Sequence, residues 1–228
     1  MTTLLGVAHG TRDPAGILTV QALLDQVRDL RPWLEVEEAY AEIAAPSIAA
    51  AVPPGAAVVA VPLLLGRGYH AEVDIPRQLA ATGADAVVSH PLGPHSLLGA
   101  ALVDRLGAGR DCDAVVLGAA GSTSPAGIAD ARVAARLLSR RLLRPVTYGF
   151  VGGPAPQLGE VVGRLREQGA RNIAVASYLL APGFFHRRLQ QAGADFVSPP
   201  LGAHDAIARL VLRRYDEAVA VARVAAAG

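Results

Sequence analysis

Lysine is absent from this 228-residue chain: all 21 basic residues are arginine, set against 20 acidic ones for a formal charge of +1. A charge so balanced gives no electrostatic reason to bind nucleic acid or an anionic membrane surface. The all-arginine composition reads first as the coding bias of a GC-rich genome. It reads second as an aid to carboxylate recognition, which the planar guanidinium suits. One cysteine, Cys112, excludes an internal disulfide and any cysteine-ligated cluster, and suits a reducing cytoplasm. No basic stretch followed by an apolar core opens the chain, so no signal peptide is expected. Charge is missing altogether from 43–66, long enough to raise the question of a membrane span. Pro46, Pro53, Pro54 and Pro62 interrupt that run, and a buried helix, a turn and a buried strand explain it better. The expectation is a soluble cytoplasmic protein, long enough to bury a real core.

Short apolar runs alternate with helical patterns. Strands are expected at Leu4–Val7, Val36–Tyr40, Ala57–Val61 and Ala86–Val88, with helices near 16–31, 46–52, 74–82 and 96–106. The first helix is the clearest, because Ile17, Val20, Leu24 and Val27 recur at helical spacing, with Asp13 placed to cap it and Pro14 at its first position. Alternation of this kind predicts βαβ units and a parallel sheet covered on both faces.

The second half repeats the first. Pro-Ala-Gly occurs at 14–16 and 125–127, Gly-Ala-Asp at 83–85 and 193–195, and Pro-Leu-Gly-x-His at 91–95 and 200–204. The shifts are 111, 110 and 109 residues, in the same order along the chain. The fold class expected is therefore α/β, with two similar domains by internal duplication, each a parallel four-stranded sheet flanked by helices. The second copy has strands near 114–118, 146–151, 173–177 and 195–198 and a closing helix near 204–224. Gly107 and Gly109 mark a loop at the junction, giving domains 1–108 and 109–228.

Three residues stand where chemistry is expected in such a sheet, just beyond the carboxyl ends of strands. They are His9, Glu42 and His70. The duplication serves as an internal control: Ala120 aligns with His9, Gly152 with Glu42 and Phe185 with His70, although the turn Gly10-Thr11 recurs as Gly121-Ser122. Two imidazoles and a carboxylate form a donor set for Fe, Co, Ni or Zn. They leave coordination positions open, unlike a closed structural zinc site. Each residue also has a plainer reading. His9 alone suits a hydrogen-bonded turn, Glu42 a solvated charge or cap partner, and Gly66–His70 a tight turn with Tyr69 in the core. Asp74 suits the cap of the next helix, with Pro76 in its first turn. His95 and His204 match each other just before helices, which points to capping. His186, next to the position matching His70, is expected at the surface, with entry into the same cleft from the other half as the alternative, and His90 has no evident partner.

VAHGTRD at 7–13, YAEIAAPS at 40–47 and VPLLLGRGYHAEVDIP at 61–76 resemble the three motif blocks of the sirohydrochlorin chelatases, the class II chelatases of siroheme and anaerobic cobalamin synthesis. SYLLAPGFFHRRL at 177–189 resembles the corresponding block of the long two-domain bacterial members. The resemblance implies a lyase-type chelatase, a ferrochelatase or cobaltochelatase, that inserts Fe²⁺ or Co²⁺ into sirohydrochlorin. It implies His9 and His70 as the metal-binding and catalytic pair, with Glu42 assisting at metal and macrocycle. Gly66, Arg67, Gly68 and Tyr69 would line the tetrapyrrole. It implies no permanently bound cofactor, the divalent metal being a substrate, and a tetrapyrrole and a metal ion as partners; the duplication suggests a monomer. Arg12 and Arg67 are the expected anchors for the macrocycle's carboxylates, and His9 or Glu42 the expected proton acceptor.

Three rival readings make different demands. A histidine phosphatase would place an Arg immediately before the histidine, where this chain has Ala8, and would leave Glu42 and His70 without a role. A metal or tetrapyrrole carrier would use the same residues without turnover. A two-His-one-carboxylate oxygenase belongs to an all-β barrel, against the βα alternation.

Overall fold

In chain order the first half forms β1 (Thr3–Ala8), α1 (Pro14–Leu30), β2 (Val36–Tyr40), α2 (Ile48–Ala51), β3 (Ala57–Pro62), α3 (Ile75–Ala80), β4 (Asp85–Val88) and α4 (Ser96–Leu106). The second half forms β5 (Ala114–Ala119), α5 (Pro125–Leu142), β6 (Val146–Phe150), α6 (Leu158–Glu167), β7 (Ile173–Tyr178), α7 (Phe184–Gln190), β8 (Phe196–Val197) and α8 (Asp205–Ala227). This computed structural model describes residues 2–154 and 156–227. Two sheets result, ordered β2-β1-β3-β4 and β6-β5-β7-β8, and all their pairings are parallel.

Leu4, Leu5 and Val7 of β1 have no exposed surface, as expected for a strand with helices on both faces. Gly6 sits among them so close to α1 that an added Cβ would meet Leu24 at 2.7 Å. On α1 itself, Val20, Leu23, Leu24 and Val27 are buried, while Ile17 is only half-buried. Asp13 caps that helix by accepting from the Ala15 N–H at 3.1 Å. His95 and His204 also cap, their Nδ1 atoms accepting from Leu97 N and Ala206 N at 3.1 Å each. The last strand of the second sheet is shorter than expected. Only Phe196 and Val197 pair, with Ala174 and Val175, because Ser198 leads straight into Pro199-Pro200, which have no N–H to offer a ladder.

The compact units do not follow the division expected at 108/109. One holds residues up to Leu92 together with those from Ala203 on; the other runs from Gly93 to Gly202. Each repeat therefore gives its closing helix to the other unit. In the first unit, α8 is held by the bidentate pair Arg31–Asp216 (2.6 and 2.8 Å), by Arg214 Nε donating to the Pro91 carbonyl (2.9 Å), and by Tyr215 Oη donating to the Thr2 carbonyl (2.7 Å). In the second unit, Arg105 Nε of α4 donates to the Leu201 carbonyl (2.8 Å), and Arg141 Nε of α5 to the Ser96 carbonyl (3.2 Å). The exchange leaves each sheet covered by a long closing helix. Among the described residues no helix is long and apolar enough to cross a membrane.

Candidate metal centre

In the strand order β2-β1-β3-β4, the connections leaving β1 and β2 run in opposite directions, and side chains at this switch point converge beyond the strand ends. His9 directly follows β1. Gly10 then turns the chain at φ 104°, where an added Cβ would overlap the Glu42 carbonyl oxygen. Only glycine tolerates both demands. The close approach lets the Ala41 and Glu42 N–H groups donate to the Ala8 and His9 carbonyls, each at 2.9 Å. Glu42 is fixed further from both sides. Gln78 Nε2 donates to the Ala41 carbonyl at 3.0 Å. Ala44 N donates to the Glu42 carbonyl at 2.6 Å, closing a three-residue turn around Ile43 at φ 66°. For a β-branched residue this backbone is strained, and the strain sits next to the carboxylate.

His70 opens a single π-helical turn, His70–Asp74, that runs into α3. The wider turn is closed by the Ile75 N–H donating to the His70 carbonyl, a local form that clusters at functional sites. It sets Asp74 beneath His70, so that His70 Nδ1 donates to Asp74 Oδ2 at 3.1 Å. Asp74 is thus not the helix cap its sequence position suggests. Its own backbone is already helical and its side chain makes no cap hydrogen bond. The carboxylate is only 7% exposed, with Arg77 Nη2 3.3 Å from Oδ1. Burial pushes its pKa up, but hydrogen bonds from His70 and Gln78 and the neighbouring Arg77 guanidinium outweigh that and hold it below the ordinary carboxyl value.

The donor atoms of His9, Glu42 and His70 all lie within 4.8 Å of one another. The two Nε2 atoms face each other at 3.1 Å, and Glu42 Oε1 is 3.6 Å from His70 Nε2. The imidazole rings are nearly perpendicular (82°), with centroids 4.4 Å apart. Both Nδ1 atoms face acceptors, His70 the Asp74 carboxylate and His9 the Gly10 carbonyl at 3.3 Å. Those partners place a hydrogen on each Nδ1 and aim both Nε2 lone pairs at a common point. Ligand atoms on one ion at bonds of about 2.0–2.1 Å stand roughly 3.0–3.4 Å apart; the two imidazole nitrogens meet that spacing, and the Glu42 oxygen, 3.6 Å from His70 Nε2, lies just outside it.

Glu42 is exposed and His70 half-buried, so the cluster stays open to incoming groups. Tyr69 is 57% exposed, its ring edge-on to His70 at 5.6 Å, and is not the core residue of the plainer reading. Gly66, Arg67 and Gly68 form the loop leading into it, with Arg67 exposed. Arg12 is exposed on the turn after His9. In the second unit His186 is half-buried rather than at the open surface, its Nε2 3.2 Å from the Ser198 carbonyl. Asp74 is the residue that sequence reasoning misassigned. Its signal was the four-residue spacing from His70, which puts the two side chains on one helical face.

The chain is thus a duplicated parallel α/β protein with an open two-histidine, one-carboxylate cluster in its first unit. The family model for CbiX matches it twice, over residues 3–108 and 114–218. The chain belongs to the CbiX family, the sirohydrochlorin chelatases. A sirohydrochlorin cobaltochelatase of Priestia megaterium is 25% identical over 209 residues, covering 84% of this chain and 68% of the relative. One from Methanopyrus kandleri is 30% identical over 84 residues, covering 35% of this chain and 59% of the relative. Two structures share the fold across nearly the whole chain. SirB from Bacillus subtilis with Fe³⁺ has a TM-score of 0.79 at 23% identity, covering 98% of both chains. The sirohydrochlorin chelatase SirB from Bacillus subtilis subspecies spizizenii in complex with cobalt has a TM-score of 0.76 at 24% identity, covering 96% of this chain and 95% of that one.

Proposed function

We propose that this protein inserts a divalent metal, Fe²⁺ or Co²⁺, into sirohydrochlorin, with His9, Glu42 and His70 holding the ion. The observation that carries the reading is the convergence of these three donors in one unit of a duplicated fold whose other unit has none of them at the matching positions. The named relatives support the substrate.

Insertion requires the ion to shed water, the ring to pucker and two pyrrole N–H protons to leave. Two imidazoles and a carboxylate replace lost water without closing the coordination sphere. Glu42, exposed and held by backbone hydrogen bonds on both sides, is placed to accept a departing proton, as is His9. Tyr69 and the Gly66–Gly68 loop border the cluster and are proposed to line the macrocycle, with Arg12 and Arg67 pairing with its carboxylates.

The test is anaerobic turnover of sirohydrochlorin with Fe²⁺, Co²⁺ and Ni²⁺, followed by absorbance. Wild type metallates many equivalents of ring. His9→Ala and His70→Ala each lose most of that rate with unchanged circular dichroism, whereas His186→Ala loses much less. Near-normal turnover in both first-unit variants overturns the site, and stoichiometric binding without turnover overturns the enzyme in favour of a carrier.

A further inference from the structure

Glu42 sits in an irregular segment, 41–46, between β2 and α2, and the next residue, Ile43, holds a left-handed backbone at φ 66°. Such a segment keeps its course only where its surroundings fix it. The Ala41 carbonyl and the Glu42 N–H belong to one peptide plane and point to opposite sides of it. The N–H edge is held by the His9 carbonyl at 2.9 Å, and the carbonyl edge by Gln78 Nε2 at 3.0 Å. Gln78 is half-buried on α3, four residues after Asp74, so both side chains lie on one helical face. Its amide also hydrogen-bonds the Asp74 carboxylate. Both partners are acceptors, so the amide turns its nitrogen to them, one hydrogen for each. Asp74 in turn accepts from His70 Nδ1 at 3.1 Å. One chain of hydrogen bonds therefore runs from the His9 carbonyl through the Ala41–Glu42 peptide, Gln78 and Asp74 to the His70 ring. Gln78 is the link at which the support of Glu42 meets the support of His70.

We propose that Gln78 is a positioning residue for metal handling: it ties Glu42 to His70 and keeps the three donors converged before an ion arrives and after it leaves. The inference rests on the chelatase reading above and deepens it with a residue that acts through the candidate ligands rather than on the ion. Lone pairs aimed at one point repel one another until a cation lies between them. Yet His9 and His70 Nε2 face each other at 3.1 Å, with Glu42 Oε1 3.6 Å from His70 Nε2, in a chain without an ion. That convergence has to be held from behind, and a site held so need not be reassembled for each ion. A plainer role for Gln78 is to satisfy the Ala41 carbonyl and nothing more. The second bond, to Asp74, goes beyond that need, and the two roles differ in what they predict for the metal.

The experiment titrates Co²⁺ into the metal-free full chain by calorimetry, records the visible absorption of the bound ion, and follows turnover with sirohydrochlorin. Gln78→Met keeps the side chain's length and helix preference and removes both donors. Its Co²⁺ Kd should rise about tenfold or more, and the visible bands should shift towards those of Glu42→Ala as the carboxylate drifts from the ion. KM for Co²⁺ should rise while KM for sirohydrochlorin keeps its wild-type value. Gln78→Asn keeps the amide but falls a methylene short of both acceptors, so it should weaken binding likewise, and it serves if the Met variant unfolds. In an Asp74→Ala background, Gln78→Met should weaken Co²⁺ binding further, because the hold on Glu42 is still there to lose. An unchanged Kd and spectrum in both single variants, with a lower urea midpoint, marks a purely structural residue and overturns the inference. No further loss in the Asp74→Ala background also overturns it, because Gln78 then serves His70 alone. A wild-type chain that neither binds Co²⁺ nor metallates sirohydrochlorin is a separate result: the chelatase reading itself then fails. Wild-type turnover with unmoved Gln78 variants refutes only the positioning role.

Discussion

Asp74→Ala tests whether the buried carboxylate orients a metal ligand or only fills space. The carboxylate accepts from His70 Nδ1 at 3.1 Å, its other oxygen lies 3.3 Å from Arg77, and the side chain is 7% exposed. Truncation removes the acceptor that fixes the His70 tautomer, and the ring is then free to rotate its Nε2 away from His9. Loss of such an outer partner costs about 10–100-fold in metal affinity, or about 1.4–2.8 kcal/mol. Asp74→Asn keeps a carbonyl acceptor without the charge, and its affinity should fall between wild type and Asp74→Ala. The assay is calorimetric titration of Co²⁺ into the metal-free chain, with circular dichroism to verify folding. A space-filling role predicts equal affinity in all three proteins with lower thermal stability in the variants. Asp74→Ala binding Co²⁺ as tightly as wild type would refute the reasoning.

Three further outcomes follow from single residues. Gly10→Ala should destabilise the fold by about 1–3 kcal/mol in urea and abolish insertion, because the new Cβ meets the Glu42 carbonyl in a left-handed turn. Leu143, the C-cap of α5, sits in the left-handed region at φ 52° with 91% of its surface exposed. Leu143→Gly should therefore raise the unfolding free energy measured in urea by about 0.5–1 kcal/mol after the entropy cost of glycine. Burial, then the charge and hydrogen bond of Glu38, push the Tyr40 hydroxyl up from 10.0 to about 12. Its stabilising contribution is fully present below about pH 10 and is lost as pH rises towards 12, so Tyr40→Phe should lose less stability than wild type across that window.

The parallel sheets were legible because strands buried on both faces have no polar alternation to hide them, and the duplication because its motifs recur in order. His9, Glu42 and His70 were legible as strand-end residues without counterparts in the repeat. Other features depend on geometry that spacing alone does not carry. The periodicity of 96–106 and 204–224 marks helices but not which sheet each covers, so the exchange of α4 and α8 was invisible. Asp74 before Ile75-Pro76 has the sequence of a cap. The π-helical turn makes it a partner of His70 instead, because the backbone is already helical when it reaches Asp74. His186 was read as a surface residue because its partner, the Ser198 carbonyl, lies twelve residues away beyond the next strand.

The two halves also separate what the fold needs from what the chemistry needs. Gly10 and Gly121 adopt the same left-handed turn, at φ 104° and 118°, and an added Cβ would overlap the carbonyl oxygen of Glu42 in one case and of Gly152 in the other. That tight junction of first and second strand ends is therefore architecture, present whether or not the neighbouring side chains bear donors. The asymmetry extends past the three candidate ligands. Four residues after Phe185, where the first unit has Asp74 four residues after His70, stands Leu189, fully buried in the second core. The imidazole and the carboxylate that orients it are thus replaced together, by a phenyl ring and an aliphatic side chain. Were Asp74 only a helix-terminus residue, its replacement would have no reason to accompany that of His70. Its presence where the histidine is present, and its absence where the histidine is absent, is what the proposed ligand His70 would require of an orienting partner.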